Sequence, residues 1–133
     1  MIKPNQFEAV GMENPSPGAE IDAGQLAAAA ATLRLETGAP VCVTRGSHGM
    51  IVSDPEPTAI PSVAVSGPTD PTGAGDSATA GAVAALCAGA NMPEAALVGN
   101  LVASITVQQL ATTGTASQDE VRGQLRIWQA QHM

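Results

Sequence analysis

Apolar and polar positions change their spacing several times along the chain, and each spacing predicts a different kind of element. The alanine-rich run 22–36 predicts a helix that Asp22 caps and Gly38 ends. The apolar runs 40–44 and 50–53 have the length of short buried strands. Because only a tight, glycine-containing turn separates them, they are predicted to form a hairpin.

The second half of the chain predicts one more strand and several helices. Residues 58–66 alternate well enough for a strand, and Pro61 places that strand toward the edge of a sheet. Three helices are predicted after it, at 76–88, 93–110 and 117–128. The first two are apolar on almost all sides, which is typical of helices packed closely against a sheet or each other. A polar loop at 112–116 precedes the last helix, which a capping box from Ser117 to Glu120 opens.

Composition limits the class of protein. The chain has 133 residues, of which 44% are hydrophobic and 13% charged, so we expect one globular domain with a buried core. A formal charge of −7 with only five Lys and Arg residues argues against nucleic acid or an anionic membrane as a partner. Because neither a signal-peptide pattern nor a bilayer-length apolar run is visible, a cytoplasmic location is predicted. Cys42 and Cys87 lie in apolar stretches and are predicted to be buried free thiols.

Residues 70–77, Asp-Pro-Thr-Gly-Ala-Gly-Asp-Ser, form a glycine cradle that is the main candidate for chemistry. Gly73 and Gly75 permit positive φ and can present several backbone N–H groups to one anion, and the following helix adds its positive dipole end. Asp76 can either cap that helix or accept a proton from an attacking hydroxyl. An ordinary tight turn with Asp76 as a plain N-cap would explain the same residues. The stretch matches neither a P-loop nor a dinucleotide fingerprint.

Two smaller features outside the glycine cradle also have two interpretations each. Asn5 and Glu8 are three residues apart and share one face of an emerging helical turn, where they can bind a common water or cation or simply cap the turn. His48, in the turn between the first two predicted strands, can act as a ligand or base. A lone exposed turn histidine commonly has neither role.

Strands and helices in this order, with the glycine cradle at a strand-to-helix junction, predict an α/β layered fold with helices on both sides of a mostly parallel sheet. Together the motifs resemble the C-terminal half of the PfkB-type carbohydrate kinases, the ribokinase-like family, over essentially the whole chain. They are, in order, Lys3-Pro4-Asn5 with Glu8, Thr44-Arg45-Gly46-Ser47-His48-Gly49, Asp70-Pro71-Thr72-Gly73-Ala74-Gly75-Asp76, Asn100, and Thr113-Gly114-Thr115-Ala116. The resemblance implies a single partial domain over 1–133, the nucleotide-binding and catalytic half of such a kinase.

The resemblance also implies a role for each matching residue. Asp76 matches the catalytic base, which takes the proton from a sugar hydroxyl as it attacks the γ-phosphate of ATP. The anion hole is matched by Gly73, Ala74 and Gly75. The nucleotide-binding positions are matched by Thr44, Gly46, Gly49, Asn100 and Gly114. The cation sites are matched by Asn5 and Glu8 for Mg²⁺ through water, and by Asp70 and Thr72 for a monovalent cation such as K⁺.

Two substitutions and one missing part depart from the family pattern. Pro71 replaces a frequent threonine and Ala78 a common aromatic residue, but neither change removes a reacting group. Family members are longer, and their N-terminal part supplies the sugar-binding residues, the lid and most of the central sheet. The resemblance therefore implies ATP-dependent phosphotransfer to a hydroxyl of a sugar or related acceptor, present here as a truncated half that is weak or inactive alone.

The alternative function is a non-catalytic nucleotide-binding or self-associating module derived from such a kinase. Under both functions a sheet cut through its middle exposes a strand edge, which predicts a homodimer or another chain that covers the edge. The expected small-molecule partners are ATP or ADP, together with a sugar or nucleoside acceptor only where the missing half is supplied.

Overall fold

The computed structural model describes residues 1–110 and 114–133, so Thr112 and Thr113, which belong to the predicted polar loop and to one family motif, lie outside the described residues. The helices are α1 (Gln6–Ala9), α2 (Ala23–Thr37), α3 (Ala74–Cys87), α4 (Met92–Thr106) and α5 (Gln118–His132). The strands are β1 (Cys42–Thr44), β2 (Met50–Val52) and β3 (Thr58–Ile60), with a 3₁₀ turn over Gly46–His48 between the first two.

The three strands form one antiparallel sheet in the order β1-β2-β3. The predicted hairpin and the edge position of the third strand are confirmed, as is the α/β layered class. The pairing differs from the mostly parallel sheet that was expected, because turns of a few residues join antiparallel strands, whereas a parallel pair needs a crossover of about a dozen residues or more. Within the described ranges, parallel pairing occurs as isolated bridges between Ile2 and Val41 and between Asn5 and Thr44.

Helices cover both faces of the sheet. The face toward α1 and α2 is buried in a cluster of Ile21, Leu26, Ala30, Val41, Val43 and Ile51. The face toward α3 and α4 is buried in a second cluster of Cys42, Met50, Val52, Ala78, Met92 and Ala96. Successive strand residues thus point to opposite clusters, as the two-residue period of a strand requires. The result is a helix–sheet–helix arrangement of three layers.

Local capping signals fix most helix ends where they were predicted. The Asp22 carboxylate accepts a hydrogen bond from the Gln25 N–H at 3.2 Å, and Gly38 ends α2 in the left-handed conformation. The capping box of Ser117 and Glu120 that opens α5 is confirmed. Two helix ends differ clearly from the prediction. Helix α4 stops at Thr106 rather than near residue 110, and α5 continues beyond the predicted residue 128 to His132.

Helices α3 and α4 approach each other through glycines. A Cβ on Gly81 would lie 2.8 Å from a methyl group of Val102, and a Cβ on Gly99 would lie 2.8 Å from the Ala78 carbonyl oxygen. The two helices therefore pack with backbone close to backbone, which a larger side chain at Gly99 would prevent. This contact places the start of α3 beside the end of α4.

The two cysteines differ in exposure. Cys42 is buried in the sheet as predicted, whereas Cys87 is exposed at the end of α3, so that prediction is wrong. The reason is that α3 is apolar on its outer face too, where Val83 is 44% exposed, so an apolar neighbourhood in sequence does not distinguish the two faces. Among the residues that the structure describes, no helix has the length and apolarity to cross a bilayer.

Candidate functional site

The glycine cradle opens α3 without a side-chain cap. Gly73 is the N-cap, with a left-handed backbone at φ 78°, and Asp76 lies at the third helical position. Asp76 is therefore not the N-cap, as an ordinary tight turn would have required. Its side chain is exposed and makes no hydrogen bond or ion pair with another residue of the described chain. A carboxylate in the first turn faces the positive end of the helix dipole and is open to a ligand.

Only some of the backbone N–H groups of the glycine cradle already donate a hydrogen bond to another residue. The Ala74 N–H donates to the Pro71 carbonyl at 3.0 Å, and the Ser77 N–H donates to the Gly73 carbonyl at 2.9 Å. The N–H groups of Gly75 and Asp76, at the second and third helical positions, have no intrahelical acceptor to reach. Of the predicted anion hole, the Ala74 N–H thus already has an acceptor, whereas the N–H groups of Gly73 and Gly75 can still donate to an anion, as can that of Asp76. The anion hole itself stays a prediction.

Asp70 and Thr72, the predicted monovalent-cation residues, shape the entrance to the cradle. The Thr72 N–H donates to Asp70 Oδ1 at 2.9 Å, and the Asp70 N–H donates to the Val107 carbonyl at 2.7 Å. These bonds tie the loop before α3 to the end of α4. The assignment of a cation to these residues stays a prediction.

A cleft of about 500 Å³ borders the cradle. Its wall includes Ala74, the first residue of α3, and Gly46 in the β1–β2 turn, so two predicted site residues meet there. Among the described residues that line it, no side chain is charged, which suits an uncharged, flat group better than a phosphate. The lining residues are Gly46, Ser47, Ser62, Val63, Ala64, Val65, Gly67, Thr69, Pro71, Ala74, Ala103, Ser104 and Val107.

Thr44 and Gly49, predicted to bind nucleotide, are not among the residues that line the cleft. Gly49 has φ 90°, and a Cβ there would collide with the carbonyl oxygen of Ile60. The turn backbone therefore packs directly on the end of β3. The Thr44 N–H donates to the Pro4 carbonyl at 2.9 Å, beside the parallel bridge to Asn5.

Asn5 and Glu8 form a reciprocal capping box on α1. The Asn5 side-chain oxygen accepts the Glu8 N–H at 2.8 Å, and Glu8 Oε1 accepts the Asn5 N–H at 3.0 Å. The second carboxylate oxygen of Glu8 remains outside this box. In the described residues there is no group of three or more His, Cys, Asp or Glu side chains that would ligate a metal. Because Mg²⁺ keeps most of its waters and accepts one or two carboxylates, one exposed carboxylate fits a hydrated Mg²⁺ that substrate phosphates also bind.

Asn100 and Gly114, the remaining predicted nucleotide positions, do not line the cleft. Asn100 is buried, and its amide nitrogen donates to the carbonyl oxygens of Ile60 and Pro61 at 3.1 and 3.3 Å. A Cβ on Gly114 would lie 2.6 Å from the Thr106 Cβ, so the loop before α5 packs against the end of α4. Their contact with nucleotide stays a prediction.

Two glutamine side chains that bond backbone groups were missed in the sequence. Gln109 donates to and accepts from the Thr115 backbone at 2.7 and 2.8 Å, and Gln131 does the same for Ala64 at 3.0 and 2.9 Å. No motif marks such glutamines, because their partners are set by the tertiary fold. His48 is exposed, and its Nε2 lies 3.3 Å from Glu20 Oε1 rather than among the cleft residues.

Comparisons with known proteins agree on one family. The model of the pfkB family of carbohydrate kinases matches residues 1–119. The bifunctional protein HldE of Azotobacter vinelandii is 41% identical over 128 residues, covering 92% of this chain and 25% of that protein. Inositol 3-kinase of Arabidopsis thaliana is 44% identical over 72 residues, covering 53% of this chain and 20% of that protein.

Solved structures show the same fold. A ribokinase from Thermotoga maritima superposes with a TM-score of 0.74 at 28% identity, covering 93% of this chain and 41% of that chain. A putative ribokinase II from Escherichia coli, solved in complex with ATP and Mg²⁺, gives a TM-score of 0.75 at 24% identity, covering 93% of this chain and 38% of that chain. The predicted ribokinase-like fold is confirmed. The chain spans about a quarter of the length of the HldE relatives, as the 25% coverage shows.

Proposed function

We propose a phosphoryl-transfer function for this chain, which belongs to the pfkB family of carbohydrate kinases. It contributes the ATP-binding and catalytic residues for transfer of the γ-phosphoryl group to a hydroxyl of a sugar or related acceptor, with ADP as the other product. The observation that carries this proposal is the Asp76 carboxylate, which is exposed in the first turn of α3 beside the open backbone N–H groups of Gly75 and Asp76. Ala74, in the same turn, lines the cleft.

The chemistry of phosphoryl transfer suits this arrangement. Such reactions depend mainly on positioning and on stabilising the charge that spreads over the transferred group. The N–H groups of Gly75 and Asp76, together with the dipole of α3, supply that stabilisation. The Asp76 carboxylate takes the proton from the attacking hydroxyl. The uncharged cleft beyond Ala74 accommodates the rest of the nucleotide.

Cations complete the proposed site. Glu8, through its carboxylate oxygen outside the capping box and through water, would help to bind Mg²⁺, with Asn5 fixing the orientation of that carboxylate. When bound, Mg²⁺ neutralises charge on the phosphates. Asp70 and Thr72 are the proposed neighbours of a monovalent cation such as K⁺.

The acceptor is proposed to be bound by parts of the fold that these residues do not include. The chain covers 41% of the Thermotoga maritima ribokinase chain. Positioning and exclusion of water supply much of the rate of phosphoryl transfer, so slow ATP hydrolysis is the activity expected of this chain by itself.

Calorimetric titration with ATP, with and without Mg²⁺, combined with an ATP turnover assay, tests the proposal. Wild-type chain should bind ATP in a Mg²⁺-dependent manner. Asp76→Ala should abolish turnover while the dissociation constant for ATP changes less than about threefold, because the N–H groups remain. Asp119→Ala, which removes an exposed first-turn aspartate from α5, is the matched control and should change neither quantity. Turnover that is unchanged in Asp76→Ala would remove Asp76 from the mechanism.

A non-catalytic nucleotide-binding module is the second candidate, favoured by the fact that Asp76 is not among the residues that line the cleft. Mg²⁺-dependent ATP binding without Asp76-dependent turnover would support it. Under either function we propose that a second copy or another chain covers the edge strand β3. Sedimentation showing a stable monomer at micromolar concentration would contradict self-association.

A further inference from the structure

The last helix bonds the backbone of the chain that follows β3. The Gln131 side-chain amide donates to the Ala64 carbonyl at 3.0 Å and accepts the Ala64 N–H at 2.9 Å. One glutamine thereby makes the pair of hydrogen bonds that a neighbouring strand would make with Ala64. The two residues are 67 positions apart, so this contact joins distant parts of the chain.

Two further side chains of α5 bond the same segment. The Trp128 indole N–H donates to the Pro61 carbonyl at 2.8 Å, and His132 Nε2 lies 3.0 Å from the Ser62 carbonyl oxygen. The two rings contact each other, with centroids 5.2 Å apart. We call Trp128, Gln131 and His132 the α5 clamp.

The clamped backbone is a wall of the cleft. Residues 62–65 all line it, and Val63 between the clamped positions is 5% exposed. We call residues 61–65 the wall segment. Strand β3 ends at Ile60, directly before Pro61, which has no N–H to donate to a sheet. Beyond that point the backbone bonds of the wall segment are made by side chains instead of by a strand.

We propose that the α5 clamp positions the wall segment and thereby sets the affinity of the cleft for the uncharged part of a nucleotide. The inference rests on the proposed function, which assigns the phosphates to the glycine cradle and the rest of the nucleotide to the cleft. None of the three clamp residues lies within residues 1–119, the range that the family model matches. They are positioning residues, because each acts through the backbone of the wall segment.

A wall segment that has lost its fixed partners spends only part of its time in the binding position, and the apparent affinity falls by that fraction. Loss of both Gln131 bonds is expected to weaken binding roughly fivefold, the scale of one net neutral hydrogen bond. The glycine cradle is anchored separately, through the Asp70 bond to Val107, so its affinity for phosphate should not change.

Calorimetry with three probes separates these parts: Mg²⁺-ATP, adenosine and inorganic tripolyphosphate. In Gln131→Ala the affinities for ATP and adenosine should each fall roughly fivefold, while that for tripolyphosphate is unchanged. Gln129→Ala, an exposed glutamine two residues away on α5, is the matched control and should bind all three probes like wild type. Trp128→Phe keeps an aromatic ring but removes the N–H donor together with the five-membered ring of the indole, and it tests the inference if Gln131→Ala does not fold.

Hydrogen exchange at the Ala64 amide is the structural readout, and it should be faster in Gln131→Ala than in Gln129→Ala. Equal ATP affinity in wild type and both clamp variants would overturn the inference and leave the proposed function intact. Equal weakening of all three probes would also overturn it, because that pattern indicates general destabilisation. If folded wild type binds neither ATP nor tripolyphosphate, the proposed function fails first and the inference fails with it.

Discussion

The Asn100 amide nitrogen lies 3.1 Å from the Ile60 carbonyl oxygen, so this residue of α4 fixes the end of the edge strand β3. Asn100 is 4% exposed, and its second acceptor is the Pro61 carbonyl. The position that was predicted to contact the nucleotide therefore has a structural partner on the cleft wall. A substitution of Asn100 should therefore be tested for its effect on stability as well as on nucleotide binding.

Asn100→Ala should lower the free energy of unfolding by about 1–3 kcal/mol, because it removes the amide donor of the Ile60 carbonyl and leaves the Pro61 carbonyl with the Trp128 indole N–H alone. Urea unfolding measures this loss. Gln108→Ala, which changes an exposed amide just beyond α4, should alter stability by less than about 0.5 kcal/mol. Stability of Asn100→Ala equal to wild type would contradict the structural role.

Glycine-to-alanine substitutions in two helices should change the free energy of unfolding in opposite directions. In Gly99→Ala the new Cβ would lie 2.8 Å from the Ala78 carbonyl oxygen, a backbone atom that cannot move alone, so we expect a loss of about 1–3 kcal/mol. In Gly123→Ala, within α5, the new Cβ meets nothing within 4 Å, so better helix propensity should stabilise by about 0.5–1 kcal/mol. Thermal unfolding of both variants checks the pair. Lower stability in both variants would contradict the expectation that Gly99 is closely packed and Gly123 is not.

The Asp54 carboxylate should make stability depend on acid pH. Its pKa is lowered from the ordinary 3.8, first by the hydrogen bond from the Ser53 hydroxyl and then by Arg34, whose Nε lies 2.9 Å away. A lowered pKa in the folded state gives stability that is present above the ordinary pKa and lost as the pH falls through the lowered value. Asp54→Asn should therefore cost roughly 1 kcal/mol at neutral pH, a modest figure because the side chain is 30% exposed.

The difference between wild type and Asp54→Asn should stay constant from about pH 7 to 5 and disappear in stronger acid. Urea unfolding across this range measures it. Asp119→Asn, which removes the partner of Arg122 in an exposed pair, is the control and should cost less than about 0.5 kcal/mol. A cost for Asp54→Asn that persists in strong acid would show that the carboxylate charge is not the cause.

The two thiols should react at very different rates. Burial raises the pKa of the Cys42 thiol to about 11, although the Lys3 charge lowers it slightly, whereas Cys87 is exposed. A disulfide reagent at mildly alkaline pH should modify Cys87 rapidly and Cys42 only after unfolding. In Cys87→Ser no rapid reaction should remain, and rapid reaction in that variant would contradict the burial of Cys42.

Cys42 should also make stability fall in alkali. The unfolded thiol loses its proton near its ordinary pKa of 9.0, while the folded thiol keeps it up to about 11. The unfolded state is thus favoured increasingly as pH rises between these values. In Cys42→Ala this part of the alkaline loss should be absent, as unfolding at a series of alkaline pH values would show.

Much of the site was predictable because its signals are local. Gly73, Ala74 and Gly46 could be named from short motifs, and the structure places the last two on one cleft wall. The position of Asp76 within α3 could not be named, since a glycine N-cap three residues earlier has no side-chain signal. Cys87 was misplaced because an apolar sequence does not show which helix face meets solvent.

The sequence by itself determined the features whose energy comes from neighbouring residues: the capped helix 23–37, the β1–β2 hairpin, the capping boxes and the glycine cradle. Only the tertiary structure decided which backbone groups would lack a strand partner and which side chains would replace it. The strand predicted over 58–66 ends at Ile60, so that prediction is wrong for 61–66. Trp128, Gln131 and Asn100 bond the backbone of residues 61 and 64 instead. Their partners lie 39 to 67 residues away, and such bonds form only after packing has brought the segments together.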